Sequence, residues 1–291
     1  MAITLRPARL EDRDAILAIS AQIWEGEDYI PNVLDDWIAE GGLAVAELDG
    51  QLAGLGKLTV FAPGEVWLEG LRVDPAHRGK GVAKALAHHQ FESALALKPR
   101  SIRFATAEVN AESLHIAAKQ GFQEVARFTY VEGSVRDEPA PSGVSPVLDV
   151  ETAWAFIRAS SAYRDARGFL GLGWRFPELT QERLADLIDR GAVFGYGDPI
   201  RGLLIQTRDP YAPDLYAAIT FLDGDDEARD ALLRLAHVQA RSMGQTTLAA
   251  MVPREEWVEA FARNGLVPLP YFRYVLVLDY PLTSRERLGQ G

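Results

Sequence analysis

One stretch of the chain reads Val66-Trp67-Leu68-Glu69-Gly70-Leu71-Arg72-Val73-Asp74-Pro75-Ala76-His77-Arg78-Gly79-Lys80-Gly81-Val82-Ala83. A strand runs into a short loop, and the loop into a helix. The glycines leave backbone N–H groups unscreened by side chains, and the helix start adds free N–H groups and a partial positive charge. Such a seat suits a diphosphate. Arg78 and Lys80 strengthen it by concentrating positive charge in an otherwise acidic chain. Two common phosphate loops do not fit. A P-loop needs Lys followed by Ser or Thr after its last glycine, and a dinucleotide turn needs a third glycine where Lys84 stands.

The elements around this loop follow from periodicity and punctuation. In the first half we expect strands at Ile3–Arg6, Leu43–Leu48, Gln51–Phe61, Glu65–Val73, Ser101–Val109 and Glu124–Glu132, with a tight Asp49-Gly50 turn joining the second and third. Helices are expected at Glu11–Trp24, Val33–Glu40, Val82–Leu97 and Glu112–Gln120. This order predicts an α/β mixed sheet with a helix crossing between neighbouring strands. Residues 134–147, dense in Pro, Gly and Ser, predict a linker. The reading is therefore a domain over 1–133, a linker over 134–147, a second domain over 148–283 and a tail over 284–291.

The halves resemble each other. The Gly121-Phe122 to Val131 segment lies over Gly265-Leu266 to Val275, Leu34/Trp37/Ile38/Gly41 over Leu184/Leu187/Ile188/Gly191, and Gly54-Leu55 over Gly202-Leu203. A tandem duplication accounts for this. In the second half, helices are expected after Thr180, at Asp226–Ser242 and from Pro253, with strands near Ala192–Tyr196, Gly202–Thr207, Leu215–Phe221, Thr246–Val252 and Phe272–Asp279.

Composition narrows the field. The chain has 291 residues, 48% of them hydrophobic, enough for a sizeable core. A net charge of -11 makes nucleic acid a poor partner. The lack of cysteine excludes disulfides, thiolate metal sites and a cysteine nucleophile. We expect a cytoplasmic protein without signal peptide, membrane span or metal.

Arg78-x-x-Gly81-x-Ala83 resembles the pyrophosphate loop of the GNAT superfamily of acetyl-CoA-dependent acyltransferases. Leu71-x-Val73-x-Pro75 before the loop, Asn110 eleven residues ahead of Gly121-Phe122, and the Arg6-Pro7-Ala8 start extend the resemblance over about residues 3–132. It implies two tandem GNAT-like domains with acetyl-CoA as cofactor. It also implies that the pantetheine arm lies along Leu71, Arg72 and Val73, that the pyrophosphate sits on Arg78, Gly79, Lys80, Gly81, Val82 and Ala83, and that Asn110 contacts the pantetheine side. The chemistry implied is direct attack of a neutral amine on the thioester, so a base must first take a proton. Glu69 is the first candidate, a carboxylate among Trp67, Leu68 and Leu71. Glu108 and Glu65 are alternatives. The Tyr that many members carry seven residues after the Asn is Ala117 here, with His115 on the same helix.

The positions aligned with the loop in the second half, Gly224-Asp225-Asp226-Glu227-Ala228-Arg229, carry three carboxylates, which would repel a diphosphate. The second domain is therefore expected to be degenerate and to cover the first, with Trp154, Tyr163, Trp174 and Tyr211 as candidates for an acceptor pocket. The acceptor is a small-molecule or peptide amine, such as a polyamine, an aminoglycoside or an N-terminus. The chain is expected to be a monomer or homodimer. Two rival readings stay open: a non-catalytic acyl-CoA sensor, and a transferase for a longer acyl-CoA or an O-acyl acceptor.

Overall fold

The computed structural model describes residues 2–62 and 64–283, and the expected tail over 284–291 lies outside them. The described residues fall into two compact units that interleave along the sequence. The first takes in those within Met1–Phe104, Glu112–Gln123 and Leu278–Gly291, and the second those within Ala105–Ala111 and Glu124–Val277.

The first half of the chain forms β1 (Ile3–Pro7), α1 (Arg13–Ser20), α2 (Ile30–Glu40), β2 (Leu43–Leu48), β3 (Gln51–Ala62), β4 (Glu65–Val73), α3 (Val82–Ala96), β5 (Ser101–Ala107) and α4 (Ala111–Gln120). Strand order in the first unit is β1-β2-β3-β4-β5. Neighbours are antiparallel up to β4, and β4 and β5 are parallel, with α3 as the crossover. Asp49 and Gly50 both take left-handed φ, 52° and 82°, as a type I′ hairpin turn requires. Val82 and Leu86 of α3 pack on Ala46, Leu48 and Ala53 of the sheet. From the C-terminal stretch, the Tyr280 ring stands edge-on to Phe91 at 4.7 Å and near Phe122 at 5.8 Å, while its N–H donates to Ile102 O.

The helix expected to reach Trp24 ends at Ser20 instead. Trp24, Glu25 and Gly26 all have left-handed φ, at 46°, 60° and 94°. They turn the chain so that Asp28 returns against the helix end, where its carboxylate accepts from the Ser20 hydroxyl at 3.0 Å.

The rest of the chain forms β6 (Gln123–Ser134), β7 (Val144–Pro146), α5 (Val150–Ala159), α6 (Ser161–Asp165), α7 (Gln181–Asp189), β8 (Val193–Tyr196), β9 (Gly202–Arg208), β10 (Tyr216–Gly224), α8 (Asp226–Ser242), β11 (Thr247–Val252), α9 (Val258–Arg263), β12 (Val267–Pro268) and β13 (Tyr274–Asp279). Strand order in the second unit is β13-β6-β11-β10-β9-β8-β7, with β12 also beside β6. Its centre repeats the first unit: β9 and β10 are antiparallel, α8 follows, and β11 lies parallel to β10. The expected duplication is thus a repeated strand–strand–helix–strand core. Four elements were not anticipated, the two-residue β12 among them. Helices α5 and α6 each start on a side-chain cap, Asp149 and Ser160. Strand β7 forms inside the Pro/Gly-rich segment, and Pro146 is tolerated there because β7 ends the strand order, beside β8 alone.

Candidate functional site

In the first unit the ladder between β4 and β5 runs only over Glu65–Trp67 and Ser101–Arg103. Beyond Trp67 the β5-facing edge of β4 is open, while its other edge stays paired with β3 as far as Val73. The β3–β4 register slips between Leu55/Arg72 and Lys57/Glu69, so the extra residue of a β-bulge falls at Gly70–Leu71. Gly70 has φ 66°, and a Cβ there would come within 2.5 Å of the buried Trp37 ring. Both facts require glycine. Leu71 within the bulge, and Arg72 and Val73 after it, lie along this open edge.

After β4, Asp74 caps a 3₁₀ turn over Pro75–His77 by accepting from Ala76 N–H at 2.9 Å. Arg78, Gly79, Lys80 and Gly81 are exposed. Gly79 and Gly81 take left-handed φ, 72° and 86°, and Gly81 is the N-cap of α3. Ala85 is the first residue whose N–H closes a helical turn, onto Gly81 O. Among the described residues, the N–H groups of Gly79, Lys80, Gly81, Val82 and Ala83 meet no acceptor in hydrogen-bond geometry. Five donors beside the positive end of a 15-residue helix fit a diphosphate. The Lys80 ammonium rests on Ala76 O at 3.0 Å.

Glu69 lies just before the bulge, 9% exposed, and accepts from the Thr59 hydroxyl at 2.5 Å. The Arg72 side chain points away from the expected cofactor role. Its Nε and Nη2 donate to Asp28 at 3.1 and 2.9 Å, and Nη1 donates to Leu71 O. The guanidinium is sandwiched between Trp24 at 4.4 Å and Tyr29 at 5.1 Å. Burial pushes the Tyr29 phenol up to about 12, against the opposing charge of Arg72. The backbone of Arg72 is what remains for a ligand along the strand. The sequence reading missed this tie, because Asp28 and Arg72 are 44 residues apart.

Glu108 and Asn110 belong to the second unit. The Glu108 carboxylate accepts from the N–H groups of Arg273 at 2.6 Å and Tyr274 at 2.8 Å, so it caps the start of β13. It borders an open groove of about 590 Å³ with Val109, Thr129, Tyr271 and Phe272. Asn110 stands one residue before α4 and its N–H donates to Ala107 O. Glu65 is buried and lies 3.6 Å from Arg100 and 3.7 Å from Arg103. His115 is exposed and Ala117 buried. The four aromatics expected around an acceptor do not line the groove: Trp154 packs on Tyr163, Trp174 on Tyr130 and Phe272, and Tyr211 lies under Arg175.

The matching place in the second unit is filled. The N-cap of α8 is Asp225, whose carboxylate takes the Ala228 N–H at 2.8 Å. Arg201 reaches Asp225 at 3.3 Å and Glu227 at 2.8 Å, and Arg229 pairs with Asp226. The β10–β11 ladder also stops early, at Ile219–Ala250. There Phe128, Phe169, Met251, Trp257 and Phe261 crowd together and leave a cavity of about 20 Å³. Asp223 further holds α6 across β10, accepting from Ala162 N–H at 3.1 Å and from the Ser160 hydroxyl. Among the described residues, no group of three or more acidic or histidine side chains is placed to hold a metal ion. No helix there is long and apolar enough to cross a membrane.

A parallel strand pair that parts after three residues thus leads into a glycine loop at a helix start. The chain superposes over 95% of its length on a GCN5-related N-acetyltransferase from Sphaerobacter thermophilus, covering 95% of that chain with a TM-score of 0.65 and 16% identity. It also superposes over 96% of its length on a tandem GNAT protein from the clavulanic acid biosynthesis pathway, covering 98% of that chain with a TM-score of 0.57 and 16% identity. At these identities the likeness is one of fold, and it is of two tandem GNAT-like domains. Residues 13–122 match the model of the acetyltransferase (GNAT) family. A histidine N-acetyltransferase of Scomber australasicus is 43% identical over 79 residues, 26% of this chain and 23% of that protein. The chain spans less than a quarter of the length of the curated relatives it matches.

Proposed function

We propose that this protein is an N-acetyltransferase that moves an acetyl group from acetyl-CoA to a primary amine. In this reading the donor's diphosphate is held by the loop before α3 and not by the matching place before α8. The observation that carries it is the contrast between the two loops: five N–H groups that meet no well-aligned acceptor among the described residues and exposed Arg78 and Lys80 before α3, against three carboxylates before and within the first turn of α8. Leu71 and Val73 would pair with the pantetheine arm along the open edge of β4, and Arg78 to Ala83 would hold the pyrophosphate. When bound, acetyl-CoA supplies a thioester carbonyl carbon open to a neutral amine.

Glu69 would take the proton from the incoming ammonium, directly or through water, because only the free amine carries the lone pair. Glu108 and Asn110 have other work in the fold, and their parts in binding or catalysis are secondary proposals. The thiolate is a tolerable leaving group without the acid that Ala117 cannot supply. The names of the matching relatives support an amino acid as acceptor, so histidine heads the panel of amines to be screened.

The test is an isothermal titration of acetyl-CoA into the wild-type protein and into an Arg78→Ala/Gly81→Glu double variant. The expected result is binding near one per chain, lost in the variant. Two molecules per chain would overturn the reading of the second unit, and no binding would remove the enzyme reading.

A further inference from the structure

We propose that Gln90 is the positioning residue that sets the β4 bulge and with it the cofactor edge of the site. The proposal rests on the acetyl-CoA reading above. Gln90 lies on α3, and its side-chain amide is buried, the residue being 4% exposed. Its Nε2 donates to Lys57 O at 2.8 Å and to Glu69 O at 3.1 Å. Lys57 and Glu69 are the paired residues at which the β3–β4 register slips. A bulge disrupts the ladder locally, and a buried carbonyl left without a donor is unfavourable. One amide group, with two donors, serves both carbonyls.

The strand opposite is shaped to admit it. A Cβ on Gly56 would come within 2.8 Å of the Gln90 amide carbon and 2.9 Å of its nitrogen. The Trp37 ring closes on Gly70, where any Cβ would strike it. The bulge is therefore held by α3 through hydrogen bonds and by α2 through packing. The same helix α3 that presents the N–H groups to a pyrophosphate also grips the strand that would run beside the pantetheine, eight residues into the helix from Val82. Gln90 thereby fixes the distance between the two halves of one ligand site and aims Glu69 at the start of the open edge.

Two variants separate this role from general stability. Gln90→Met keeps length and burial and removes both donors. Gln90→Glu keeps the shape but sets a carboxylate against two carbonyl oxygens, and only its protonated form can donate. The expected results are faster deuterium exchange across residues 66–74 in Gln90→Met and a loss of acetyl-CoA affinity of at least about tenfold. In Gln90→Glu, affinity recovers as the pH is lowered, and in Gln90→Met it does not. Wild-type affinity and exchange in Gln90→Met would overturn the proposal. So would lost affinity with unchanged exchange, or faster exchange with unchanged affinity. If the wild-type protein binds no acetyl-CoA, the functional reading fails by itself, and the exchange experiment still decides whether Gln90 holds the bulge.

Discussion

Glu69 differs from the other carboxylates of the site in its place along β4. It is buried, it accepts from the Thr59 hydroxyl, and it sits at the bulge where β4 begins its open edge. Glu65 lies between two arginines, and Glu108 has both oxygens on backbone N–H groups. Replacing Glu69 by Gln should therefore lower kcat by about 10²–10⁴ while acetyl-CoA affinity in a titration stays near the wild-type value. Unchanged kcat would move the base elsewhere, to water or to another side chain. The place of Glu69 within its strand was legible in the sequence. The occupation of Glu108 was not, because its partners stand 165 and 166 residues further along the chain.

At the scale of elements, the strongest readings were those with local causes. Asp49-Gly50 gave its hairpin, Val82 the start of α3, and Thr180 with Gly191 the ends of α7. The bulge left only one trace in the sequence, a glycine inside a strand. Its two clamps, Gln90 and Trp37, could not be read at all, since both depend on which helix faces which side of the sheet. His237 on α8 is a similar tertiary tie. Its Nδ1 accepts from Arg136 N–H at 3.1 Å, and its Nε2 lies 2.8 Å from Asn264 O just after α9. An accepting Nδ1 fixes the proton on Nε2 and the ring as neutral.

Burial lowers the His237 pKa below its ordinary 6.5, with Arg136 acting in the same direction and the Asn264 carbonyl and Glu138 opposing. The unfolded chain thus binds a proton that the folded chain resists. This contribution to stability is complete above about pH 6.5 and declines as the pH falls toward the lowered value. Thermal unfolding followed between pH 7.5 and 5 should show a falling midpoint in the wild-type protein and a flatter profile in His237→Gln. Parallel profiles would exclude His237 as the source.

At the scale of the whole molecule, the internal repeat and the two compact units do not divide the chain at the same places. The repeat and the Pro/Gly-rich segment suggest a cut within residues 134–147. The first unit nevertheless counts residues 278–283 as its own. Tyr280 gives it two aromatic contacts and a backbone hydrogen bond, and Asp279 lies 3.4 Å from Arg103. Tyr280 is half-buried, so its contacts contribute less than the roughly 1.5–3 kcal/mol of a fully buried large apolar side chain, still a notable share of an ordinary domain's net stability. A fragment of residues 1–140 should therefore unfold less cooperatively than the intact protein and bind acetyl-CoA at least about tenfold more weakly. Calorimetry and titration of the fragment check this. A fragment with intact affinity and a sharp transition would show that the linear boundary is the physical one.

This interleaving also bears on how the chain is made. A ribosome extends a protein at about 5–20 residues per second. The stretch from Glu124 to Val277 must therefore be synthesised, over roughly ten to thirty seconds, before the closing segment of the first unit exists. Through that interval Phe91 and Phe122 wait without Tyr280. The nascent amino-terminal region thus has a built-in period of exposure to chaperones, and the half that carries the glycine loop is the last to be completed.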